Sequence, residues 1–205
     1  MESLIGKLNH AAHVILSAQY FLNRLCHLLK RGGGWIPQRL QLWNPHDLQL
    51  WMKFLQHVTT KGVPISNIVF VKPSVTLWSD ACEYGIGGYI KNGLTWRWII
   101  PAVWHGKITL NLLDFLASAV TIYMTILKMV QGSHILAIIE GSSALVWMHK
   151  SSFETVNAES HNAVARWLGC SLVSNDTSLY SQHIKGTEKS SWIPSQRISI
   201  GQTRH

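Results

Sequence analysis

Charge is scarce in this sequence: 14% of its residues are Asp, Glu, Lys or Arg, against about 25% in ordinary domains. A surface so poor in charge fits a fragment partly covered in its parent protein, and ten tryptophans point the same way. Acids are the scarcer sign, 10 against 18 Lys and Arg, for a formal net charge of +8. Such a surface attracts polyanions such as nucleic acid, and a few acids gathered in one place would stand out on it. Cysteine is scarce too. Cys26, Cys82 and Cys170 are far apart and in no CxxC or His/Cys cluster, which excludes a zinc site and reads as reduced, small apolar residues in an intracellular protein. No Gly-x-Ser-x-Gly elbow is present, so a catalytic triad is discounted. The paired histidines, His10 with His13 and His149 with His161, are the scatter expected among 11 histidines. The opening MESLIGKLNHAAHVI lacks the basic-then-apolar build of a signal peptide, so secretion is not expected. No internal repeat or low-complexity linker is visible.

One stretch is long and apolar enough to raise the question of a membrane span, Ile108 to Val130, which carries only Asp114 and Lys128 as charges. Asn111, Asp114, Ser118, Thr121 and Thr125 run along it as a polar stripe, and an acid inside a spanning helix is costly. A buried helix lying on a sheet accounts for it better, and no membrane partner is expected. At 205 residues the chain can hold one good-sized domain with an appendage and bury roughly 70% of its unfolded surface.

The chain is organised around VTLWSDACEYGIGGYI, Val75 to Ile90. Val75, Leu77 and Ser79 alternate with Thr76, Trp78 and Asp80, the period-2 pattern of a two-faced strand. Gly85, Gly87 and Gly88 then allow a tight return and the close approach of another backbone. Read alone, the segment is equally an ordinary hairpin with a surface Asp80 or a strand delivering a functional carboxylate.

Before it, Leu4, Leu8, Ala11, Ile15, Ala18, Leu22, Leu25 and Leu29 recur at steps of four and three, which predicts one helix ended by Gly32 to Gly34. A dimerising coiled coil is the alternative, though few charges flank the seam to specify a partner. Asn44, Pro45 and Asp47 form a helix start, with Leu48, Trp51, Leu55 and Val58 as its buried face. Lys61 to Pro64 end it, placing a domain boundary near residue 65, and Ile68 to Phe70 lead toward the strand after Pro73. After the hairpin, Leu94 to Ile100 predicts a third strand with Trp96 and Trp98 on one face and Arg97 on the other. Exposed tryptophan and arginine suit a nucleic-acid groove, while core packing claims at least one of the two rings. Thr109 to Lys128 predicts a helix with Asp114, Ala117, Ser118 and Thr121 on one face and Leu113, Leu116, Val120, Tyr123 and Leu127 on another. His134 to Ile139 reads as a buried central strand, Ser142 or Ser143 as a cap, Asn157 to Leu172 as an amphipathic helix and Leu179 to Ile184 as the last strand.

This order of elements, with WSDACEYGIGGY, TLNLLDFLASAV, SSALVWMHK, NAESHNAVARWLG and SLYSQHIKGTE, resembles the ribonuclease H-like region that follows the reverse transcriptase in retrotransposon polyproteins. ESLIGKLNHAA is similar to the end of the preceding thumb or connection. The likeness covers most of the chain and is specific in its combination of segments. It implies an α/β fold, a ribonuclease H-like mixed five-stranded sheet flanked by helices and preceded by a small helical segment. Residues 1–64 would be that helical segment, 65–188 the ribonuclease H-like domain and 189–205 a tail. The implied activity is metal-dependent endonucleolytic hydrolysis of RNA in RNA/DNA hybrids, with Asp80, Asp114 and Glu140 as catalytic and metal-binding carboxylates for Mg²⁺ or Mn²⁺. Implied partners are a hybrid or other duplex, met by Arg97, Trp98, Lys150 and Lys185, and the rest of a reverse transcriptase. The alternative is a basic nucleic-acid-binding module with no enzymatic role.

Two departures favour impaired activity. Relatives usually carry Glu where this chain has Asp114 and Asp where it has Glu140, and each swap displaces a carboxylate by about an ångström or more where sites of this kind tolerate roughly 0.5 Å. Thr187 stands where many relatives have a mobile histidine. The tail departs as well, since relatives continue with an Asp-Ser-Leu-Ser-type helix bearing a fourth acid and this sequence has no acid after Glu188. Trp192 is encoded by TGG and every Ile193 codon begins AT, so dropping two bases at Lys189 reads aspartate across that junction. A reading frame shifted near Lys189 and a poorly ordered tail are the expectation.

Overall fold

The computed structural model describes residues 2–22, 25–26, 43–91, 93–148 and 158–184. Lys150, Lys185 and the tail 189–205 lie outside these.

The strands are β1 (Val75–Cys82), β2 (Gly85–Ile90), β3 (Thr95–Ile99), β4 (His134–Ile139) and β5 (Ser178–His183). They form one mixed sheet in the order β3-β2-β1-β4-β5, in which β1 to β3 pair antiparallel and β1, β4 and β5 pair in parallel. The α/β mixed sheet flanked by helices is thus as expected from the sequence. The helices are α1 (Glu2–Ala12), α2 (Trp43–Lys61), α3 (Leu110–Ile126), α4 (Ser142–Trp147) and α5 (Ala158–Ser174). The glycine hairpin works as its alternation predicts: Leu77 and Ser79 are buried, and Asp80 is exposed.

Helix α3 lies across β1 and β2 and packs against α5. The C-terminal part of its polar stripe faces inward, while Asn111 is exposed and Asp114 half-buried. Ser118, Thr121 and Thr125 are buried, and the two threonine hydroxyls donate to the carbonyls of Ala117 and Thr121, 2.7 Å each. Buried hydroxyls cost little when they find such partners, so the stripe that argued against a membrane is a sheet-packing surface. Among the described residues no helix is long and apolar enough to cross a membrane.

Three expectations need correction. The N-terminal seam is not one helix: α1 ends at Ala12, and a 3-10 helix takes over at Leu16–Phe21. Of the expected seam, Leu8, Ile15, Ala18, Leu22 and Leu25 are buried, whereas Leu4 is 43% exposed and Ile5 and Ala12 take the inward positions on α1; the chain bends at His13 to Ile15 and keeps an apolar side on the core. The inward face of α2 is Asp47, Trp51 and Phe54, whereas Leu55 is 39% exposed. Asp47 faces inward to pair with the Arg166 guanidinium of α5, which also lies 4.7 Å above the Phe21 ring. At α4 the residue before the helix is Gly141, with no side-chain cap. Ile5, Phe21 and Trp51 share one buried cluster with Leu77, Phe115 and Ile135.

Candidate functional site

Two neighbouring rungs decide what each face of the sheet presents. Ser79, Gly88 and Trp96 stand side by side on β1, β2 and β3, and all three meet α3. Ser79 Oγ lies 2.6 Å from Ser118 Oγ, and Trp96 donates its indole N–H to Thr121 Oγ1 at 3.1 Å. Only glycine fits at position 88, since a Cβ there would stand 2.0 Å from Thr121 Oγ1 and 2.6 Å from Trp96 Nε1. Successive strand residues point to opposite faces, so the next rung, Asp80, Gly87 and Arg97, turns away from α3. With strands about 4.8 Å apart, the backbones of Asp80 and Arg97 are roughly 10 Å apart. Gly87 between them leaves the floor low.

The parallel pairing of Ser79 with Ile139 carries Glu140 to the same end of the sheet as Asp80. Asp80, Glu140 and Arg97 accordingly line one groove of about 400 Å³, together with Trp78, Tyr89, Ile138 and Ile184. The Trp78 and Tyr89 rings, 5.4 Å apart and inclined at 36°, form part of this wall. The groove is therefore an apolar, aromatic trough with carboxylates and a guanidinium at its polar positions.

Asp114 arrives from the α3 side. Its Oδ2 lies 2.8 Å from the place a Cβ on Gly141 would occupy, so the absence of a side chain at Gly141 lets this carboxylate reach the residue next to Glu140. All three acids are engaged in interactions within the fold. The structure brings Asp80 and Glu140 into one groove and sets Asp114 beside it, against Gly141. Among the described residues no three of His, Cys, Asp and Glu are grouped so as to hold a metal ion. Carboxylate oxygens are the donors that Mg²⁺ and Mn²⁺ take; Asp80 and Glu140 bring theirs to one groove and Asp114 stands beside it.

Arg97 stands on one face of β3 and Trp96 and Trp98 on the other, as the alternation predicts. Arg97 lines the groove, while Trp98 stands on the α3 side, 42% exposed and 6.4 Å from the Trp104 ring. Of the two tryptophans on that side, Trp96 is the one packed inward. Sequence reasoning missed Gly141, whose role depends on a helix that precedes it in the chain, and Trp104, which lies in a short 3-10 helix with no periodic signal.

A second cavity, about 570 Å³, lies along β5 and is lined by Tyr20, Ser66, Phe70, Met148 and Tyr180 among others. Tyr20 donates to the Met148 carbonyl, and Tyr180 donates to the Ser66 carbonyl at 2.7 Å. Burial raises the Tyr20 phenol far above its usual range, so the hydroxyl stays a neutral donor. Among the described residues no acid lines this cavity. Among the described residues Cys26, Cys82 and Cys170 form no disulfide, and burial pushes Cys170 up against the opposing pull of Arg166 and Lys53.

No protein-family model matches the chain. No curated protein matches it either.

Proposed function

We propose that this chain is the ribonuclease H-type portion of a retrotransposon polyprotein and that it binds duplex nucleic acid, an RNA/DNA hybrid among them, in the Asp80–Glu140 groove with weak or no hydrolysis. The observation that carries the reading is the meeting of Asp80, Glu140 and Arg97 in one aromatic trough at the end of two parallel central strands, on a chain with only 10 acids. A structural role for these acids would not call for them to meet on an otherwise basic protein. The strand order β3-β2-β1-β4-β5 is compatible with this family's sheet. The position of Asp114 against Gly141 favours a binding role over a hydrolytic one, since two-ion hydrolysis needs its ions about 3.5 to 4 Å apart and ligands that hold both.

A labelled RNA/DNA hybrid incubated with the purified protein and Mg²⁺ tests the reading. Binding with cleavage undetectable or very slow is expected, and turnover ordinary for ribonucleases H would overturn the impaired-site part. The double change Asp114→Glu with Glu140→Asp exchanges the two side-chain lengths for those usual in relatives. It should tighten Mn²⁺ binding measured by calorimetry even where cleavage stays low.

A further inference from the structure

At about 400 Å³ the groove falls in the range in which proteins hold single small ligands, about 300–1,000 Å³. Its polar groups are few and opposed in sign. Asp80 stands across Gly87 from Arg97, so hydrogen-bond acceptors occupy one end and a guanidinium the other, two strand spacings or roughly 10 Å away. Glu140 adds a second carboxylate at the acidic end. The neighbouring rung of the same face supplies the aromatic wall, where Trp78 pairs with Tyr89 and the rings lie 5.4 Å apart at 36°. The Trp78 indole N–H in this wall is shielded from solvent and has no acceptor among the described residues. A buried donor left without a partner costs free energy, which a carbonyl drawn against the wall would recover.

We propose that the groove selects an unpaired guanine nucleotide, such as one at a strand end or overhang, with the base toward Asp80 and Glu140 and the phosphate toward Arg97. This rests on the reading of the groove as a nucleic-acid site and names the unit it takes. The end-to-end opposition of acceptors and guanidinium, rather than net charge, is what fits. Guanine alone among the bases presents two adjacent N–H donors, N1–H and the exocyclic N2 amine, beside a carbonyl, O6. A carboxylate only accepts, and it has two oxygens with about four lone-pair sites, so it can take both donors alongside the partners that Asp80 and Glu140 have within the fold. Adenine and cytosine turn a ring acceptor toward a carboxylate, and uracil and thymine flank their one donor with carbonyls, so each meets it with repulsion. O6 is the acceptor that the Trp78 N–H lacks, Tyr89 offers a ring face for stacking, and Arg97 suits a phosphate. Inside a duplex this edge of guanine is already paired, so the unit recognised is unpaired.

Isothermal titration calorimetry of the full chain with GMP, IMP, AMP, CMP and UMP, in EDTA, tests the proposal. GMP should bind at least about tenfold more tightly than AMP, CMP or UMP. IMP keeps N1–H and O6 but lacks the N2 amine, and should fall between. Asp80→Asn with Glu140→Gln should abolish the preference for GMP over AMP. Tyr89→Leu should weaken both by about tenfold, with Tyr89→Phe close to the parent, and Arg97→Gln should weaken GMP while leaving guanosine unchanged. Circular dichroism checks the fold of each variant, and the nucleotide series on the parent protein needs no variant. A labelled hybrid with a single 3′ guanine overhang should bind at least about fivefold more tightly than the same hybrid with adenine there. GMP binding that is absent or equal to that of AMP, or a guanine preference that survives the double carboxylate change, would overturn the proposal. Hybrid binding that ignores the overhang base overturns it and leaves the duplex reading standing, whereas GMP selected without any hybrid binding supports it and removes the duplex reading.

Discussion

At the scale of single residues, the sheet depends most sharply on Gly88. A Cβ there would stand 2.0 Å from Thr121 Oγ1 and 2.8 Å from Thr121 Cγ2, and neither the strand nor the buried hydroxyl can move without breaking the Trp96–Thr121 or Thr121–Ala117 bond. Gly88→Ala should therefore destabilise by about 1–3 kcal/mol, as overpacking of a filled core does, in equilibrium denaturation. Gly87→Ala points the other way, onto the groove floor, where its Cβ would meet the Trp96 carbonyl at 3.0 Å. It should cost less stability and weaken hybrid binding, measured by anisotropy. The alternation from Val75 to Asp80 made these two faces legible in the sequence, because a strand's period is 2 whatever lies above it. Which glycine faced the helix was not legible. That depends on Thr121, and only pairing two distant segments shows it.

At the scale of elements, the helices before β1 were legible as apolar seams and not as shapes. Steps of three and four survive a passage from α-helix through a bend into a 3-10 helix, so Leu8, Ile15, Ala18 and Leu22 could be read as buried, while the break after Ala12 and the inward turn of Ile5 in place of Leu4 could not. On α2 the local pattern offered Leu48, Trp51, Leu55 and Val58 as one face and counted Asp47 as a first-turn acid. Its true partner, Arg166, lies far along the chain, and no local periodicity reports it. This buried pair, with Asp47 0% exposed, ties α2 to α5. Removing one partner strands the other charge in the interior, so Asp47→Asn should cost about 3–5 kcal/mol in chemical denaturation. Asp47→Leu with Arg166→Met should cost less, because no charge is then left buried. A second tie joins the end of α2 to the turn after α5: His57 Nε2 lies 2.7 Å from Asp176 Oδ1, and Lys61 Nζ lies 3.6 Å from Asp176 Oδ2. Asp176 holds a φ of 49° there, a left-handed conformation that an aspartate tolerates better than most residues.

At the scale of the whole molecule, the helical segment and the sheet share one core, so the chain should unfold as a unit. Truncation before residue 65 should lose the cooperative transition seen by tryptophan fluorescence. A sheet-forming remainder that melts cooperatively by itself would contradict this. The architecture was largely legible, since each strand has its own apolar run and the connections between β1 and β3 are short. The candidate site was legible as three acids and not as their arrangement, because the sheet's pleat sends Asp80 away from the helix that carries Asp114. The tail belongs to another kind of measurement, the nucleotide sequence. The codons from Trp192 to Gly201 should spell a Ser-Leu-Ser helix in the shifted frame, and another spelling would remove the frameshift account.

The central claim, that a basic protein holds duplex nucleic acid in the groove of Asp80, Glu140 and Arg97, is tested most directly by titrating a labelled RNA/DNA hybrid with the parent protein and with Arg97→Gln at several salt concentrations. The account predicts affinity that falls steeply between about 50 and 200 mM salt, as counterion release requires, and a slope lower by about one in the variant. Hybrid binding that ignores salt, that is absent at 50 mM, or that is unchanged in slope by Arg97→Gln would contradict it.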